Sequence, residues 1–142
     1  MTTAVVDASV ATKWFIGGAP LREEALSVRR SYRSIAPALI LIEVANALWR
    51  YLRLDALTVD DVVDAVRVVE RGTTITPDAT LIEAAQRLSA DRDHPVYDCL
   101  YAALAVREGR PLITADGRLV RKLSGVPGLQ LVALSTYIEL ER

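Results

Sequence analysis

Apolar residues in this chain follow two rhythms, short β-rich runs and longer stretches with helical spacing, and the two alternate from one end to the other. Strands are predicted at "AVVD" (4–7), "SIAP" (34–37, closed by Pro37), "TTIT" (73–76), "PLITA" (111–115) and "LQLVAL" (129–134). Between them the spacing predicts helices over 9–16, 21–32, 38–53, 59–71, 78–90, 96–109 and 116–123, with "GGAP" (17–20) as a break. The segment "ALILIEVANALWRYLR" (38–53) is apolar over much of its circumference, so much of it is expected to be buried. Thr58 suits an N-cap, with Asp60 and Asp61 in the first turn, where the helix dipole favours negative charge. Pro77 suits a helix opening, where no backbone donor is needed. No repeat, low-complexity tract or long linker divides the chain, so residues 1–142 are expected to form one domain. Strands separated by helices pair in parallel through right-handed crossovers, which predicts a three-layer α/β/α sandwich. Such sheets bind ligands beyond the carboxyl ends of their strands.

Composition leaves that picture intact. With 51% of 142 residues hydrophobic and 25% charged, the chain can build a real core and is neither disordered nor fibrous. Uncharged runs such as 34–42 fall short of the ~20 apolar residues that span a bilayer, and "MTTAVVDASV" lacks the features of a secretion signal, so a cytoplasmic location is expected. The lone Cys99 has no disulfide partner within the chain and apolar neighbours, which predicts a buried thiol. With 17 basic against 18 acidic residues there is no global attraction to nucleic acid. The arginines nevertheless cluster at Arg29, Arg30 and Arg33, at Arg50 and Arg53, and, with Lys122, at Arg118 and Arg121, where they could grip phosphates or simply face solvent.

Four acids change the picture more. Asp7 ends the first predicted strand and Asp116 follows the fourth, so both enter one crevice if those strands are neighbours. The ordinary alternatives are a helix N-cap for Asp7 and a turn residue before Gly117 for Asp116. Glu43 is the only charged side chain between Pro37 and Trp49, and Asp98 the only one between Pro95 and Val106. A lone carboxylate among aliphatics costs several kcal/mol unless it is paired or binds a cation. Their helical neighbours are Leu39, Ile40, Asn46 and Ala47 for Glu43, and His94, Tyr101 and Ala102 for Asp98, which leaves His94 as the only local partner. A distant arginine or exposure to solvent would also satisfy either acid. A hard divalent cation, Mg²⁺ or Mn²⁺, accounts for all four at once.

These residues carry a resemblance. "VVDASVATKWF", "LIEVANAL" with Glu43 and Asn46, "YDCLYAALA" with Asp98 and "LITADGRL" with Asp116 resemble, in order and spacing, the PIN domain and in particular the VapC toxins of bacterial type II toxin–antitoxin pairs. The resemblance implies a five-stranded parallel sheet and a metal-dependent endoribonuclease, with Asp7, Glu43, Asp98 and Asp116 as metal-holding catalytic residues for one or two Mg²⁺ or Mn²⁺ ions. It also implies an RNA substrate, a VapB-type antitoxin that blocks the site, and usually a homodimer, for which the helices around 38–52 and 58–69 offer surfaces. Ser9 and Thr114 stand where the family keeps hydroxyls that help hold the acids or a metal-bound water, and Asn46 where it is often polar. Gly117 departs from the family, which often has a bulkier polar residue there.

Other phosphate chemistries lack their residues. A haloacid-dehalogenase-type phosphatase needs an aspartate where Ser9 stands, a receiver domain needs an aspartate on the third strand, where "TTIT" has none, and "FIGGAP" is no phosphate-binding loop. An alternative from another class is a catalytically inert PIN-like module that binds a protein partner through Trp14, Phe15, Trp49 and Tyr51, although core packing is the commoner fate of such residues.

Overall fold

The computed structural model describes residues 1–137. Five strands, β1 (Thr2–Val6), β2 (Tyr32–Pro37), β3 (Thr73–Thr76), β4 (Leu112–Thr114) and β5 (Leu131–Ala133), form a single sheet in the order β3-β2-β1-β4-β5. Every pair is parallel, with Val5 beside Leu112 and Val6 beside Ile113 at the β1–β4 junction. The seven α-helices among the described residues are α1 (Ala8–Ala11), α2 (Arg22–Ser31), α3 (Leu39–Arg53), α4 (Val59–Gly72), α5 (Ile82–Arg92), α6 (Val96–Glu108) and α7 (Gly117–Leu123). With the helices flanking the sheet, this is the expected three-layer α/β/α sandwich.

The core follows the apolar runs. Ala4, Val5 and Val6 of β1 are buried, and on α6 every residue from Cys99 to Ala105 is buried, Cys99 included, as its neighbours imply. α6 crosses β1, β2 and β4, so a helix buried nearly all round is the central support of the sheet. α3 departs from expectation. Only Ile40, Val44 and Leu48, four residues apart, are fully buried, while Ile42 is 68% and Trp49 51% exposed, so one stripe packs and the other faces solvent.

Several boundaries differ from the sequence reading for local reasons. The predicted 9–16 helix is four α-helical residues followed by a 3₁₀ turn, Thr12–Phe15, and the Thr12 hydroxyl donates to Ala8 O at 2.7 Å there. Pro77 opens a 3₁₀ turn, Asp78–Thr80, rather than α5 itself, and Asp78 Oδ1 accepts the Leu39 amide at 3.0 Å, tying that turn to the start of α3. Thr58 caps α4 as expected, within a full capping box closed by Asp61. Gly109 ends α6 at φ +62°, a left-handed conformation that glycine adopts without a Cβ penalty. No helix among the described residues is long and apolar enough to cross a membrane.

A candidate acidic active site

The strand order turns at β1: β2 and β3 lie on one side of it, β4 and β5 on the other. At such a switch point the connections leave in opposite directions and open a crevice beyond the carboxyl ends of the two central strands. Asp7 sits there as the first residue past β1, and it is also the N-cap of α1, so both sequence readings of it hold. Its Oδ1 accepts from Ser9 Oγ at 2.6 Å and from the Val10 amide at 3.3 Å, while Oδ2 accepts from Thr114 Oγ1 at 2.5 Å. Thr114 closes β4, and its hydroxyl also accepts the Asp116 amide at 3.0 Å. Ser9 Oγ accepts the Ala115 amide at 2.9 Å. Two hydroxyls thus stitch the ends of β1 and β4 together around one carboxylate. Asp116 caps α7, its Oδ1 accepting the amides of Arg118 and Leu119 at 2.9 and 3.3 Å.

The other two acids come from α3 and α6. Glu43 on α3 accepts a 2.5 Å hydrogen bond from the Tyr101 hydroxyl of α6. Asp98, in the first turn of α6, has its Oδ2 2.5 Å from His94 Nε2. Among the described residues neither acid is paired with an arginine, and neither is turned fully to solvent. Asp93 adopts φ 50° and ends α5, and the Ser89 hydroxyl binds His94 O at 2.6 Å, so the loop before α6 aims the imidazole inward. Among the described residues His94 Nδ1 is buried without a partner, so Nε2 is the ring nitrogen that meets Asp98.

Asp7, Glu43, Asp98 and Asp116 line one cavity of about 110 Å³ with Ala8, Ser9 and Tyr101. Its electrostatics are those of acids crowded away from water. Burial pushes Asp7 up to about 7, against the opposing pull of its bonds from Ser9, Thr114 and Val10, and the charge of Asp98 adds to the rise. Glu43 is raised by burial, opposed by the Tyr101 bond and reinforced by Asp98. Asp98 is raised by burial as well, opposed by His94 and reinforced by Asp116. Burial and the Glu43 charge raise Tyr101, so its hydroxyl stays a proton donor. The Cys99 thiol is pushed up to about 11 by burial, which leaves it an inert core residue.

Hard oxygen donors around a small polar cavity, three of them, Asp7, Glu43 and Asp98, pressed toward protonation by burial, suit a divalent cation that keeps part of its water shell. They do not form a ready-made cage: among the described residues no three Asp, Glu, His or Cys side chains stand close enough to close on one ion directly. The volume is that of roughly three or four waters in liquid packing, so ion and waters would share it.

Other predicted residues lie elsewhere. Asn46 is exposed outside this cavity, in an adjoining groove with Glu43, Trp49 and Arg50. Arg33 is on β2 and Arg29 and Arg30 end α2, all toward the amino-terminal edge of the sheet, away from the acids. Arg118 is near enough for its charge to act on Asp98. The four aromatics form no single patch: Trp14 is buried with its Nε1 donating to Ala25 O at 2.9 Å, whereas Trp49 is exposed. Sequence reasoning placed His94 and Tyr101 beside Asp98 but missed that Tyr101 serves Glu43, a contact across 58 positions with no local signal. It also missed Lys13, which lines a neighbouring cavity of about 320 Å³ with Ser9, Glu43 and Tyr51, its Nζ donating to Pro20 O at 2.7 Å.

Known proteins share this arrangement of strands and helices. PAE2754 from Pyrobaculum aerophilum superposes with a TM-score of 0.70 at 23% identity, over 99% of this chain and 90% of that one. A toxin–antitoxin complex from Klebsiella pneumoniae gives a TM-score of 0.67 at 18% identity, over 93% of this chain and 98% of the matched one. VapBC2 from Rickettsia felis, bound to a DNA fragment from its promoter, gives 0.66 at 12% identity, with the same coverage of 93% and 98%. No curated protein matches the chain. The family model of the PIN domain matches residues 4–123, a span that takes in all four carboxylates, and the chain belongs to the PIN domain family.

Proposed function

We propose that this protein is a Mg²⁺- or Mn²⁺-dependent endoribonuclease, the toxin of a type II toxin–antitoxin module, made as a single domain over residues 1–142 and working in the cytoplasm as a homodimer that a VapB-type antitoxin restrains. The observation that carries the reading is the convergence of Asp7, Glu43, Asp98 and Asp116, from four separate segments, on one small cavity at the switch point of the sheet. Membership of a family whose members are generally nucleases supports the reaction class, and the toxin–antitoxin complexes among its structural neighbours support the biological setting.

Each part of the site has a task in that reading. The four carboxylates would hold the cation in part through its own waters, and when bound it supplies a water acidic enough to ionise and attack, with positive charge for the phosphodiester. Ser9 and Thr114 fix the rotamer of Asp7, and by donating to both of its oxygens they favour the ionised form against burial. Tyr101 does the same for Glu43, and His94 for Asp98. Lys13, whose ammonium lines the adjoining cavity, would meet a substrate phosphate by giving up its bond to Pro20 O.

Incubating the purified protein with total RNA, Mn²⁺ or chelator tests this directly. Cleavage that needs Mn²⁺ and is lost in Asp98→Asn is expected. Equal cleavage by parent and Asp98→Asn would refute the acidic metal site, and no cleavage by the parent with Mn²⁺ or Mg²⁺ would refute the nuclease reading and leave the inert protein-binding module.

A further inference from the structure

The two tryptophans each carry an arginine on the ring face, yet their settings are opposite. Arg29 lies 5.3 Å from the Trp14 centroid, where the indole is buried and hydrogen-bonded, so that pair is structural. Arg53 lies 4.8 Å from the Trp49 centroid, and that indole is 51% exposed. Glu43, Asn46, Arg50 and Arg53 follow one another at i, i+3, i+7 and i+10, which sets them in one stripe along α3, with Trp49 flanking it. Together with Ala47 they line a groove of about 400 Å³. Among the described residues neither Arg50 nor Arg53 has a carboxylate within salt-bridge distance. Glu43 lines both this groove and the acidic cavity, so the two adjoin at that side chain.

An exposed indole with the Arg53 guanidinium on one face, its other face left for a base, and Arg50 nearby without a carboxylate partner is the chemistry that holds single-stranded nucleic acid: the ring takes a base face and the cations take phosphates. We infer that the Trp49 face of α3 is a stacking subsite for one unpaired nucleotide of the RNA, with Arg50 and Arg53 gripping the flanking phosphates. The inference rests on the nuclease reading for the identity of its ligand. Arg50 lies seven residues from Glu43, about 10 Å along the helix axis. At about 3.4 Å per stacked nucleotide, the base on Trp49 sits roughly three nucleotides from the bond facing the acids. Stacking accepts any base, so the subsite selects for unpaired strand rather than for sequence. Charge argues against a second copy meeting this stripe with the same stripe, since Arg50 and Arg53 would face their own equivalents.

Binding of a short oligouridylate in chelator, where nothing is cut, tests the subsite apart from catalysis. Saturating oligonucleotide is expected to quench tryptophan emission in the parent but not in Trp49→Phe. Trp49→Ala is expected to bind about tenfold more weakly, and Arg50→Ala and Arg53→Ala each to lower the slope of log K against log salt by about 0.7. Emission unmoved at saturation, with Trp49→Ala binding as tightly as the parent, would overturn the subsite. So would a parent dimer that Trp49→Ala converts to monomer in sedimentation, since the face would then be an interface between copies. A parent that binds with quenching yet cuts no RNA with Mn²⁺ would refute the nuclease reading and leave the subsite standing. A parent that cuts RNA while Trp49→Ala binds normally would do the reverse.

Discussion

Replacing Asp7 by Asn sets two roles of one side chain against each other. As an N-cap held by two hydroxyls and an amide, Asp7 looks like a stabilising residue, and loss of a cap costs about 1 kcal/mol. As a carboxylate that is only 4% exposed, it is raised from its ordinary value near 3.8 to about 7. The folded protein therefore holds this proton more tightly than the unfolded chain does. Its favourable contribution is complete below about pH 4, declines as pH rises toward 7 and is gone above it, a swing of about 4 kcal/mol for the metal-free protein. Asn never ionises, so Asp7→Asn escapes that loss. It keeps one acceptor oxygen for Ser9 and Val10, but its amide nitrogen faces the Thr114 hydroxyl, which must rotate to accept, at a cost of about 1–2 kcal/mol. The balance predicts that, in chelator at pH 8, the variant is more stable than the parent by about 2–3 kcal/mol, near 10 °C in Tm for a chain of this length. At pH 4 the advantage disappears. Thermal and urea melts across that range, with and without Mn²⁺, measure it, and the ion is expected to stabilise only the parent. A variant less stable than the parent at pH 8 in chelator would mean that the cap outweighs the buried charge, and the electrostatic account of the pocket would fall.

Four further outcomes follow from the same geometry. Adding Mn²⁺ at a hundred times its Kd is expected to stabilise the parent by about 2.7 kcal/mol in the melt, reversibly with chelator. His94→Gln removes the bond to Asp98 and is expected to weaken Mn²⁺ binding about tenfold in a titration of Tm, while metal-free stability falls little by comparison. Tyr101→Phe leaves the half-buried Glu43 oxygen without its donor, so a loss of about 1–2 kcal/mol is expected at pH 8. Because protonation relieves Glu43, that loss is expected to shrink at low pH. Thr58→Ala breaks the α4 capping box far from the acids and is expected to cost about 1 kcal/mol in urea melts with cleavage per folded molecule unchanged.

Much of this architecture could be read from the chain because its signals are local. Alternating strands and helices imply the parallel sheet, Thr58 marks α4, and Glu43 and Asp98 stand out as single charges on apolar helices. What could not be read depends on contacts between distant segments. Nothing near Tyr101 announces that its hydroxyl reaches Glu43, and Thr114, which binds Asp7 across 107 positions, was legible as a holder of the acids only through the family resemblance and not through any local signal. The solvent stripe of α3 was hidden for a related reason: Ile42 and Trp49 are as apolar as Ile40 and Leu48, and only packing decides which of them is covered. At Pro77 the chain obeyed the proline signal but spent one 3₁₀ turn anchoring Asp78 to α3 before the α-helix began.

The parallel seam between β1 and β4 also sets a timetable. Strand β1 finds one of its two neighbours only when residues 112–114 have been made, and Asp7 stays unclasped until Thr114 reaches it. A nascent polypeptide on the ribosome, or a fragment ending before that point, carries three of the four acids but no enclosed cavity to hold them. The assembled pocket is therefore a late product of synthesis, absent until residue 114 has joined the sheet.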